Sequence, residues 1–156
     1  SAAAHSITLD AGKFSGQLTE DIVISECDND GFHCNHRMQT LARTTLEESK
    51  STKTANTTSL ELKSVSRTTS GKGATLFNIN AVKVDLDLAH LPEKLNFGAT
   101  TQGLISVLVV DGDSRGASYR TYKANCTINS KKLFSCKSTL INGTSNQLNL
   151  RLQVTN

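Results

Sequence analysis

Strict alternation of apolar and polar residues is the feature that most constrains this chain. Near the C-terminus Leu148, Leu150, Leu152 and Val154 alternate with Asn149, Arg151 and Gln153; in the middle Val82, Val84, Leu86 and Leu88 alternate with Lys83, Asp85 and Asp87. Side chains of a strand point to opposite faces in turn, so each segment sets one apolar row against a core and one polar row in water.

Turn chemistry separates these runs: Asp30-Gly31, Ser70-Gly71-Lys72-Gly73, the Asp111 to Gly116 loop, Asn129 to Lys132, and Asn142-Gly143. The pattern predicts strands over 13–27, 34–46, 59–69, 74–88, 102–110, 116–128, 133–141 and 147–155. The expected fold is all-β, an antiparallel up-and-down meander of about eight strands. Such long strands suit a closed barrel better than the alternative, a β-sandwich. Two longer connections interrupt the meander, a polar Glu47 to Ser59 stretch and an Ala89 to Thr101 segment with the single proline, Pro92.

The four cysteines fall in two close pairs, which predicts two hairpin disulfides and an oxidising compartment. A two-residue turn at Asp30-Gly31 sets Cys27 opposite Cys34, and a turn centred on Lys131 sets Cys126 opposite Cys136. Directly opposed residues come close enough for a disulfide. The expected location is therefore secreted or periplasmic.

A chain of 156 residues is the size of one domain, read as 5–156, with Ser1-Ala2-Ala3-Ala4 as a tag or processing remnant. No apolar run is long enough for a membrane helix, and five Phe plus two Tyr cannot supply the aromatic girdles of a membrane barrel. The net charge of +3 is scattered and stacking residues are scarce, so nucleic acid is not an expected partner.

Several motifs invite a chemical reading. Gly112-Asp113-Ser114-Arg115-Gly116 matches G-x-S-x-G, and His33-Cys34 resembles the His-Cys pair of chymotrypsin-like proteases, with Asp85 to Ala89 resembling their Asp-containing strand. A catalytic triad needs a carboxylate buried beside the imidazole, whereas Asp85 and Asp87 alternate with the core row, and Ser114 is followed by a strand. No catalytic residue is assigned. His33 and His36 project to opposite faces of a strand and cannot share an ion, and Asp28 to Gly31 and Asp111 to Asp113 are incomplete calcium loops, so no metal or cofactor is assigned either. Ser70 to Thr75 lacks the first glycine and the Ser/Thr of a phosphate loop and reads as a turn. Three N-x-[ST] sequons occur, at Asn56, Asn125 and Asn142.

Leu104 to Val110 is apolar on both faces, with Leu104, Leu108 and Val110 on the side that a barrel would turn to water. Cover by the segment with Leu91, Leu95 and Phe97 is the first expectation, and contact with a second copy of the chain the other. Ile22-Val23-Ile24 has the same two-sided character.

No coherent catalytic group emerges, so the expected function is that of a non-enzymatic exported binding protein presenting loops on a stapled β scaffold to a protein partner. The candidate contact residues are Asp111, Asp113, Arg115, Tyr119 and Arg120, because Arg and Tyr anchor contact surfaces. The alternative is a carrier that holds a small apolar ligand inside the barrel, as lipocalins do; a serine hydrolase comes third.

Overall fold

The computed structural model describes residues 5–9, 13–54, 57–70, 75–77, 81–112, 116–141 and 144–155. Its strands are β1 (Ser6–Thr8), β2 (Lys13–Cys27), β3 (Cys34–Lys53), β4 (Thr58–Thr69), β5 (Ala81–Leu91), β6 (Lys94–Asn96), β7 (Thr100–Asp111), β8 (Ala117–Ile128), β9 (Leu133–Ser138) and β10 (Asn146–Thr155). Eight of them close an antiparallel barrel in the order β2-β3-β4-β5-β7-β8-β9-β10, with β10 pairing back onto β2. Barrel, not sandwich, is the architecture, and each of the eight strands has a hydrogen-bonded neighbour on both sides over part of its length. β1 and β6 pair with each other as a separate two-stranded sheet.

The alternating rows do what their period demands. Leu148, Leu150, Leu152 and Val154 of β10 point inward and are buried, as are Val84, Leu86 and Leu88 of β5. Val82 does not follow them: the β5–β7 register shifts between Ala81 and Lys83, so Val82 is an extra residue turned out to solvent, 65% exposed. Alternation cannot announce such a bulge, because it reverses the facing of one residue only.

β3 also differs from expectation, running on to Lys53 instead of ending at residue 46. Its polar second half is held by the ladder to β4, through Lys53↔Thr58, with register shifts at Thr45/Leu46 and Glu48/Lys50. Backbone pairing rather than burial carries this stretch, so no apolar row marks it. β5 starts at Ala81, later than the expected 74, and β9 ends at Ser138 rather than 141. The turns at residues 71–73 and 142–143 lie outside the described residues.

Both hairpin disulfides are present, with Cα atoms 4.0 Å apart for Cys27–Cys34 and 4.1 Å for Cys126–Cys136. In each pair the cysteines are direct cross-strand partners. The first turn is one residue off the expected position: Gly31 N donates to Asp28 O and Asp28 N to His33 O, so the turn centres on Asn29-Asp30 and Gly31 follows it at φ 72°. The four-residue loop that results still sets Cys27 opposite Cys34. The second turn is centred on Lys131 as expected, with Lys132 at φ 60° and the Asn129 side chain accepting from Lys131 N and Leu133 N.

Among the described residues, inward side chains pack the barrel interior. Phe14 and Phe134 meet edge to face with centroids 6.0 Å apart, and buried Leu18, Leu46, Leu60, Leu62, Ile105, Val107 and Ile128 complete the layers above and around them. The Cys126–Cys136 bridge is part of this core. Two inward positions, Gly16 and Gly103, have no side chain; a Cβ on Gly16 would lie 1.9 Å from Arg151 O, so β2 and β10 approach as closely as they do only because residue 16 is glycine.

The Ala89 to Thr101 segment does not cover the outer face of β7. It closes the end of the barrel where β2 begins: Leu91 and Leu95 are buried there with Ile7 and Leu9, and β6 pairs with β1 beneath them. Leu104, Leu108 and Val110 keep partial exposure and lie beside their cross-strand partners Lys123, Tyr119 and Ala117.

Candidate binding surfaces

The opposite end of the barrel carries the β2–β3, β4–β5, β7–β8 and β9–β10 connections, a consequence of up-and-down order. Here β2 and β3 outrun their neighbours. β10 follows β2 no further than Ile22, and β4 follows β3 no further than Ala42, so Ile24–Cys27 and Cys34–Arg37 pair only with each other. Four residues of strand project about 13 Å. Ser25 and His36 join across this ribbon at 2.7 Å, Arg37 and Glu26 at 3.5 Å, and the exposed Cys27–Cys34 bridge ties its tip. Phe32 stands on the tip 87% exposed, and Met38 at the base is 48% exposed. The two-sided Ile22-Val23-Ile24 run is the half-buried root of this ribbon.

The tip is also polar. His33 Nδ1 lies 3.3 Å from Asp30 and 4.0 Å from Asp28, and the three groups could present ligand atoms to a cation. All three are exposed, and Phe32 N donates to Asp30 Oδ1, which holds the Asp30 carboxyl below its ordinary value. These contacts are those of a tight turn. His33 is therefore remote in role from Asp85, which accepts from Ser64 N and pairs with Lys83 on the outer wall. His33 makes no contact with Asp85 or Asp87 among the described residues, and Ser114 lies outside them.

The same barrel end is plugged from within. Glu20 and Arg67, both inward and buried, meet at 2.6 Å; Arg67 also donates to Thr44 Oγ1, and Phe77 N donates to Glu20 Oε1. The segment 75–77 is thereby laid across the opening, with Phe77 buried against the core and tilted on Tyr122. Arg120 completes the plug: its guanidinium lies 5.9 Å from the Phe77 ring centroid and donates to Leu76 O.

Of the contact residues expected from sequence, Arg120 is exposed while it holds Leu76 O and the Phe77 ring. Tyr119 is 74% exposed and borders a groove with Leu108, Ser106 and Asp87, while Asp111 is half-buried at the end of β7. Asp113 and Arg115 lie outside the described residues, as do the sequons at Asn56 and Asn142. Asn125 is exposed on the outer face of β8. Sequence reasoning missed the projecting ribbon, whose only written signal was the Cys27–Cys34 pair around an exposed aromatic.

Two outer-wall grooves oppose each other in charge. One, of about 230 Å³ over β4, β5 and β7, is lined by Glu61, Asp85 and Asp87 with Lys63; burial pushes the Asp87 carboxyl up, and Glu61 directly across the ladder adds to the effect. The other, of about 600 Å³ over β2, β3, β9 and β10, holds Arg43, Lys137 and Arg151. Comparison with protein-family models, curated proteins and solved structures finds no match for this chain.

Proposed function

We propose that the chain is a non-enzymatic exported binding protein, secreted or periplasmic, that meets a protein partner at the barrel end carrying the ribbon. The observation that carries this reading is the ribbon tip: an 87% exposed Phe32 held on a disulfide-tied hairpin that the barrel does not use for its own packing. Exposed aromatics on rigid supports act as binding anchors, because little entropy is lost when they are buried by a partner. The β7–β8 connection, with Asp111, Asp113 and Arg115, and Tyr119 near the start of β8 belong to the same barrel end and form the second contact element. Two disulfides fit an oxidising compartment.

Interior packing weighs for contact from outside and against the carrier alternative. The inward rows touch one another, Phe77 and Arg67 stop one end, and Leu91 and Leu95 stop the other.

Fluorescently labelled protein on an array of extracellular and periplasmic proteins tests the proposal, with Phe32→Ser and Tyr119→Ser compared with the parent. Saturable binding that Phe32→Ser abolishes, at unchanged thermal stability, is the expected result. Binding that survives both substitutions, or none at all across the array, would overturn it.

A further inference from the structure

We infer that the basic groove on the outer wall is a binding site for a linear polysaccharide carrying carboxylate or sulfate groups. The site lies on the barrel wall, meets the ribbon base at Met38, and does not depend on the ribbon tip. Its core is a row set by register alone: Arg43 pairs with Thr19, Thr19 with Asn149, and Asn149 with Lys137, so four side chains lie abreast on β3, β2, β10 and β9. The strand spacing makes this row about 14 Å long. Arg151 stands in the next row down, opposite Gln17.

Charge gives the ligand its sign. Arg43, Lys137 and Arg151 are exposed, and none of them is paired with a carboxylate among the described residues. The single acid in the groove, Asp21, is 7% exposed and already occupied: it accepts from Thr19 Oγ1 and Thr40 Oγ1, each at 2.8 Å, and from Asn149 Nδ2. That network fixes Thr19 and Asn149 between the two ends of the cationic row. Three uncompensated cations around a rigid floor of amides and hydroxyls fit a ligand with repeated anionic groups and many hydroxyls.

Shape and composition separate this ligand from other polyanions. An acidic peptide would gain affinity by adding a strand to a free sheet edge or by filling apolar pockets. The barrel is closed, and Met38 and Leu133 are the apolar residues of the groove. Single-stranded nucleic acid would want stacking aromatics, and none lines the groove.

Titration calorimetry at about 0.15 M salt with polygalacturonate, dextran sulfate, neutral dextran, poly-glutamate and oligo-dT tests the inference. Expected is binding to polygalacturonate or dextran sulfate, the better probe identifying the anionic group, with neutral dextran inert. The triple variant Arg43→Gln, Lys137→Gln, Arg151→Gln should lose at least about tenfold in affinity, since three charge-assisted hydrogen bonds are removed. A charge-matched control, Lys50→Gln, Lys94→Gln, Lys131→Gln, should stay within about twofold, and Arg43→Lys, Arg151→Lys should bind between the parent and the triple variant. Equal loss in the control, stronger binding of poly-glutamate or oligo-dT, or no binding of either anionic polysaccharide by the folded parent would overturn it.

Discussion

Arg67 donates to Glu20 across 2.6 Å inside the barrel, where the two side chains keep 5% and 1% of their exposure. This pair is the keystone of the plug, since Glu20 also accepts the backbone amide of Phe77 and Arg67 reaches Thr44. It is not fully satisfied: among the described residues Arg67 Nε is buried without a partner. Removing one member strands a buried charge, so Arg67→Ala should cost about 3–5 kcal/mol in urea unfolding. The double change Glu20→Leu, Arg67→Met should restore most of that loss, because a well-packed apolar pair replaces both desolvation penalties. If the double variant is no more stable than Arg67→Ala, the pair matters for more than its charges.

Gly16 has less room for a side chain than Gly103, the other inward glycine of the wall. An added methyl meets a neighbouring backbone oxygen rather than a yielding side chain, so β2 and β10 would have to part. Gly16→Ala should destabilise by about 1–3 kcal/mol, as overpacking does, although alanine is the better residue in an ordinary context. Thermal unfolding decides this, and an unchanged midpoint would contradict it.

The two disulfides should differ in reactivity, because thiol–disulfide exchange requires the attacking thiolate to reach a sulfur. Cys27 and Cys34 are exposed at the ribbon tip, whereas Cys126 and Cys136 are 1% and 2% exposed in the core. Mild dithiothreitol followed by alkylation and peptide mass mapping should label Cys27 and Cys34 first, with the barrel still folded. Simultaneous labelling of all four would contradict the assignment of one bridge to the ribbon and one to the core.

Asp87 ties stability to pH on the other wall. Burial raises its folded-state pKa and the facing Glu61 raises it further, so the folded protein holds this proton more tightly than the unfolded chain does. Stability from this group is therefore full below its ordinary value and declines as pH rises through the raised one. Asp87→Asn should stabilise the protein near pH 7 and have little effect near pH 3, measured as the shift in urea midpoint against the parent. A gain that persists in acid would point to packing rather than charge.

Much of the architecture was legible because a period of two is a direct readout of a half-buried strand. The rows Leu148 to Val154 and Val84 to Leu88, and both cysteine registers, followed from that period and from turn chemistry. Positions set by tertiary pairing were hidden: Val82 at a bulge, the polar second half of β3, and β1 with β6 folded under the barrel. The surfaces were harder still. Nothing in the sequence announces that Phe77 lies beside Arg120, and Arg43 lies 94 residues from Lys137 in sequence while registers through β2 and β10 bring them into one row.

Native mass spectrometry of the protein as purified, set beside its denatured mass, tests the central claim that this barrel is filled and acts from its outer surface. Equal masses, with no adduct, are the predicted result. A small-molecule adduct that survives desolvation and is lost on denaturation would contradict it and return the interior to the role of a ligand cavity.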